Sequence, residues 1–200
     1  MLDRVDIKKK SKESMKENYW LSVGTYIVIL LIRAFSLPVS VIFMPVILVG
    51  AAYFSTALYL KSKTRFSDAF SVGFGSYMRN LVGMLWMFLF SVLWSLLFII
   101  PGIVKYYSYF LTPYILARFE DVEAKEALKI SKNIMNGHKA EVFVMQLSFI
   151  GWGLLSLITI GIVGIFYTDP YYQITNAGFA TEIIGKARKE NKINDSGHLI

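Results

Sequence analysis

The sequence predicts an all-α, polytopic membrane protein: six transmembrane helices as three helical hairpins, with amphipathic interfacial helices on the cytoplasmic side. Three observations carry that expectation. Apolar residues make up 55% of the chain and charged residues only 18%, against about 25% charged in ordinary soluble domains. The apolar residues gather in six runs, and the basic residues gather between them. A soluble chain this apolar would show water large hydrophobic patches and aggregate; lipid removes that problem.

Crossing about 30 Å of hydrocarbon takes about 20 mostly apolar residues. Six runs meet or approach that length: 20–37, 39–60, 81–100, 102–117, 142–160 and 162–184. The link within each pair is short, at Ser36-Leu37-Pro38, at Pro101-Gly102 and around Thr159-Ile160-Gly161. Short links place neighbouring helices antiparallel, which gives three hairpins in series within one membrane domain spanning 1–200. Polar tails are expected at 1–10 and 190–200.

The net charge of +7 raises the question of nucleic acid, and its placement answers it. The 21 Lys and Arg cluster in 1–18, 61–79, 118–139 and 186–192, all but Arg33 and Lys105. Basic loops alternating with apolar runs hold an orientation in a membrane; they do not form a groove tracking phosphates. Both termini are therefore expected in the cytoplasm, in a multi-pass protein of the cell (plasma) membrane. With no cysteine there are no disulfides or thiolate metal sites. The mixed-charge lead before the first run, with no small-residue cleavage pattern after it, does not read as a signal peptide.

Between hairpins lie amphipathic stretches. Phe66, Phe70, Phe74 and Tyr77 recur at roughly helical spacing after Ser67 and Asp68 as N-cap candidates. Ala127, Ser131, Ile134 and Met135 form a second stripe, with Lys125, Lys129 and Lys132 on other faces and Gly137 placed to end the helix. Such helices suit either the membrane interface or a linker packed on the protein. Ser11-Lys12 and Met15 recur in register 120 residues later as Ser131-Lys132 and Met135, and Arg79 stands 60 residues before Lys139. That spacing suggests three copies of one unit, an amphipathic helix and a hairpin, over about 11–70, 71–130 and 131–190.

Two stretches carry a family likeness. Ile99 to Tyr109, with Pro101, Gly102 and Tyr109, continues into Thr112-Pro113-Tyr114; then follow Asn136-Gly137-His138-Lys139, Gly151-Trp152 and Pro170-Tyr171-Tyr172. This string resembles the bacterial integral-membrane family known as domain of unknown function 975, over about residues 70–180. Glu123, where a Ser-like N-cap is expected, and Asp169 before Pro170 depart from the pattern. The resemblance implies a multi-pass bacterial membrane protein with no established activity, and marks those residues as family-like positions.

Enzyme chemistry finds no foothold. His138 and His198 lack a second ligand at metal-binding spacing, and no phosphate loop, nucleophile elbow or nucleophile–base pair is readable. No catalytic or metal residue and no cofactor is expected, and His138 reads as part of a helix-ending turn. Charge inside the runs is the sharper signal, since a charge at mid-bilayer costs about 2.5–3.5 kcal/mol. Arg33, Lys105 and Asp169 would share the outer third of the membrane, lining an outward-facing polar pocket. Alternatively Arg33 and Lys105 snorkel, and Asp169-Pro170 simply starts a helix. Pro45, Pro113 and Pro170 fall inside apolar runs, where Thr112 and Thr168 could re-satisfy freed carbonyls.

Two functional readings follow. The first is a non-enzymatic accessory or scaffold protein in envelope or lipid homeostasis, or supporting a transport system, contacting membrane lipids and a protein partner or a second copy. The second is a small carrier or export component binding an anionic headgroup or small solute. A carrier requires a hydrated cavity lined by those charges and by Gln173 or Asn176; a scaffold requires a packed bundle without one.

Overall fold

The computed structural model describes the backbone of residues 3–34, 37–97, 99–190, 192–194 and 196–199. Side chains are described there except at 31–34, 37–42, 44–46, 95–97, 99 and 100. Every regular element among the described residues is a helix: α1 Arg4–Glu17, α2 Tyr19–Ala34, α3 Leu37–Tyr59, α4 Phe66–Gly75, α5 Tyr77–Leu97 and α6 Ile99–Ser108. After these come α7 Thr112–Arg118, α8 Ala124–Ile134, α9 Lys139–Leu147, α10 Ile150–Ile158, a π-helical turn Gly164–Thr168, and α11 Asp169–Lys189.

Local chemistry sets several ends. The Asp3 carboxylate accepts the backbone N–H of Val5 and Asp6, at 3.0 and 3.2 Å, satisfying orphan donors of α1. Residues 4–10, expected as part of a polar tail, are therefore helical, and Ile7 is buried. α4 begins two to three residues earlier than its cap candidates imply. Arg65 is the N-cap, and Asp68 reaches back from the first turn to its N–H at 2.8 Å. α8 buries Ala127, Ser131 and Ile134 and exposes its lysines, as its stripe requires. The chain then turns at Gly137, whose φ of +92° glycine adopts without strain.

The core gathers in α1, the second half of α3, α7, α8 and α11. Helices approach closely there. A Cβ on Gly178 of α11 would stand 2.6 Å from the Tyr59 ring and 2.9 Å from Ile7, and one on Gly50 of α3 would meet the Ala69 carbonyl of α4. Two adjacent residues at the start of α5 finish two other helices. Asn80 donates to the Val72 and Gly73 carbonyls of α4 at 3.3 and 3.2 Å. Arg79 donates to carbonyls at and beyond the end of α7, including Leu116 at 2.7 Å and Phe119 at 2.8 Å.

Two described stretches, 77–94 and 139–158, are long and apolar enough to cross a membrane, and only 17% of each is buried. Their apolar side chains face outward instead, with Phe88, Leu93, Leu154 and Ile158 all exposed. Shorter apolar helices cover 19–30 and 47–59.

The breaks differ from expectation. Pro101-Gly102 is no link: both sit in the first turn of α6, where proline's missing N–H costs nothing. The run 102–117 is broken between Ser108 and Thr112, with Pro113 opening α7. Ser131 of α8 mends the gap, accepting the N–H of Leu111 at 3.2 Å and donating to the Ser108 carbonyl at 2.9 Å. The hydroxyls of Thr112 and Thr168, expected in that repair role, are buried without a partner among the described residues. The run 142–160 is interrupted at Ser148-Phe149, between α9 and α10. The next turn falls at Ile160 and Gly161, with φ of +52° and +83°. Asp169 opens α11 with Pro170 in its first turn, but the π turn runs directly into it, so Thr168 and Asp169 are both helical and Asp169 is not a cap outside the helix. Pro170 cannot donate to the preceding turn, and the widened π turn accommodates it. Pro45 lies outside the described side chains.

Candidate functional site

The helix breaks leave a cavity of about 360 Å³ between α2, α3, α6, α7, α9 and α11. At about 30 Å³ per molecule, that is room for roughly a dozen waters. One wall is a face of α11: Asp169, Tyr172, Gln173 and Asn176 line the cavity at i, i+3, i+4 and i+7, the spacing that superimposes side chains on a helix. Because the chain stays helical through the π turn into α11, Asp169 points along that face instead of capping it.

The opposite wall is tyrosine. Tyr106 and Tyr109 come from the end of α6, Tyr114 from α7 and Tyr26 from α2. The break at 109–111 turns these rings inward from two helix fragments; one straight helix would spread them around its circumference. Apolar α2 and α3 residues such as Ile47 and Ala51 close the rest.

The polar groups are held in place. Gln146 of α9 donates to Asn176 Oδ1 at 3.2 Å and accepts the Tyr107 hydroxyl at 2.9 Å. Tyr26 and Ser55 share a hydrogen bond of 2.5 Å. Such a network fixes which donors and acceptors face the cavity, because each lost bond leaves a buried polar group unpaired.

Of the three charged residues singled out in the apolar runs, only Asp169 is found lining the cavity, and it is the one charged side chain among the described lining residues. Lys105 is elsewhere, its Nζ 4.6 Å above the Trp94 ring and acted on by the like charges of Lys132 and Lys139. The Arg33 side chain lies outside the described residues. Among the family-like positions, Tyr109, Pro113 and Tyr114 line the cavity, and Thr112 and Pro170 are buried beside these elements. Tyr171 faces away into an aromatic cluster, 5.1 Å from Phe149, with the Trp152 and Tyr167 rings tilted 4.9 Å apart nearby. Gly137 and His138 form the corner before α9, with His138 Nδ1 3.1 Å from Glu141; Gly151 is exposed. Gln146 and Tyr26 escaped the sequence reading, although a glutamine inside an apolar run is itself a signal. No cluster of three or more metal-ligating side chains occurs among the described residues.

Outside the apolar stretches, Lys8 of α1 reaches the α9–α10 break. It donates to Ser148 Oγ at 2.9 Å and lies 4.3 Å above the Phe149 ring. Burial lowers its pKa from the usual 10.5.

The fold and this site define a class: an all-helical protein with membrane-length apolar helices facing outward and a polar cavity among them. More particularly, residues 37–187 match the family described as protein of unknown function DUF975, and the chain belongs to it. No curated protein and no solved structure matches the chain.

Proposed function

We propose that this is a non-enzymatic, multi-pass membrane protein that binds a small polar solute in the tyrosine-lined cavity, as a carrier or export component. The cavity carries this reading: a packed scaffold has no use for about 360 Å³ of polar, hydrogen-bonded space between its helices. Its described lining offers amide and phenol hydrogen-bonding groups beside Asp169, which suits a small polar solute.

Six spans with both termini in the cytoplasm complete the proposal. The two long apolar stretches expose their hydrophobic faces, and the basic segments fall on one side when the chain is threaded six times.

The chain lacks cysteine, so single-cysteine variants report cleanly. In membranes, Gln173→Cys should react with a water-soluble methanethiosulfonate. Leu154→Cys on the outer apolar face should stay unreactive. An unreactive Gln173→Cys would mean a dry cavity and return the scaffold reading. Lys63→Cys and Lys132→Cys should label only from the cytoplasmic side; labelling from outside intact cells would overturn the topology.

A further inference from the structure

A second concave surface lies outside the cavity, between α5 and α8. It is a groove of about 290 Å³ whose walls include Trp86, Phe90 and Tyr109, while Lys125, Lys129 and Lys132 stand along it. The three lysines recur on one helix at three- and four-residue spacing while the opposite face of α8 is buried, so α8's own packing fixes where they project. Lys125 already lies 5.5 Å from the Trp86 ring centre. No carboxylate pairs with any of the three among the described residues. The surrounding surface of α5 is exposed and apolar at Leu85, Phe88 and Leu89. A row of uncompensated ammonium groups beside an aromatic trough, continuous with an apolar helix face, asks for a ligand with both an anionic head and a long apolar tail.

We infer that this groove binds an anionic phospholipid, its phosphodiester headgroup between Lys125, Lys129 and Lys132 and an acyl chain along Trp86 and Phe90. The site depends on the membrane reading and not on the cavity or its ligand.

A variant keeping Trp86 alone (Trp20, Trp94 and Trp152→Phe) reports on the groove by fluorescence. It is reconstituted in phosphatidylcholine bilayers doped with either brominated phosphatidylglycerol or brominated phosphatidylcholine, whose bromines quench a tryptophan they touch. Each lysine near an anionic lipid is worth about 1 kcal/mol, about fivefold, so half-quenching should need at least about tenfold less of the glycerol lipid. Exposed Lys129→Gln alone should shrink that preference several-fold, and the triple Lys125, Lys129, Lys132→Gln should abolish it. Equal quenching by the two lipids, or a preference that survives the triple substitution, overturns the inference while leaving the membrane reading intact. A preference erased by millimolar inorganic phosphate also overturns it, since the site would then hold a free anion. Quenching by neither lipid would show that this face does not meet a bilayer, and the membrane topology would fail with it.

Discussion

Arg79 offers the most decisive single substitution. From the start of α5 its guanidinium donates to the carbonyls of Leu116, Phe119 and Glu120, and at 3.4 Å to Val122. These are the carbonyls that a helix end and the turn after it leave without backbone partners. A hydrogen bond to a charged group contributes about 1.5–3 kcal/mol. The bonds to Leu116 and Phe119, at 2.7 and 2.8 Å, are well formed, and the side chain is only half-buried. Discounting for that exposure and for non-additivity, Arg79→Met should cost about 3 kcal/mol. At about 2–4 °C per kcal/mol for a chain of this size, the midpoint should drop by roughly 6–12 °C. The assay is thermal unfolding of purified protein in detergent, followed by tryptophan fluorescence and by helical ellipticity. Arg79→Lys should recover about half or less, because an ammonium carries three donors on a point charge and cannot span the fork. A loss below about 1 kcal/mol in Arg79→Met would refute the argument, since the carbonyls would then be satisfied by water.

Other outcomes follow from the same geometry. Gly178→Val should destabilise by about 3 kcal/mol, driving a side chain into Tyr59 and Ile7. Gly185→Ala in the same helix, with nothing within 4 Å, should be neutral or stabilising by about 0.5–1 kcal/mol; equal effects would deny the close approach. Asn176→Leu should cost about 1–3 kcal/mol by stranding Gln146, and should slow labelling of Gln173→Cys. Lys8 holds its proton less tightly folded than unfolded. The unfolded chain therefore binds more protons in that window, and stability should rise as pH climbs toward 10.5. Lys8→Met should flatten that rise in thermal midpoints, and an unchanged slope would assign it to other groups. Lys61→Gln should leave the thermal midpoint unchanged, because its 2.7 Å pair with Glu17 is solvent-exposed on both sides.

The amino-acid sequence alone settled what depends on composition and period. Apolar runs over 77–94 and 139–158 are helices with exposed hydrophobic faces, because membrane-length apolarity needs no partner to be recognised. The stripe of Ala127, Ser131 and Ile134 is the buried face of α8, because the helical repeat places those residues together whatever they pack against. Gly137 ends its helix for an equally local reason, a positive φ. Gln173 and Asn176 were named beside Asp169 as lining that a hydrated cavity would need, and all three line one.

The positions of the breaks were a tertiary decision. The gap after Ser108 is held by Ser131, which supplies a donor and an acceptor from another helix; no local pattern near residue 108 announces that help. Thr112 and Thr168 stood beside the prolines and looked suited to the task, yet their hydroxyls make no such bond. Pro101-Gly102 resembled a link but serves as a helix beginning, since where proline falls within a turn is set by the neighbouring packing. The cavity itself is the furthest from sequence. It exists because two broken helices and a π turn rotate Tyr106, Tyr114 and Tyr172 toward Gln146 and Asn176. A volume between helices is fixed by the contacts that keep them apart, and those join residues far separated along the chain.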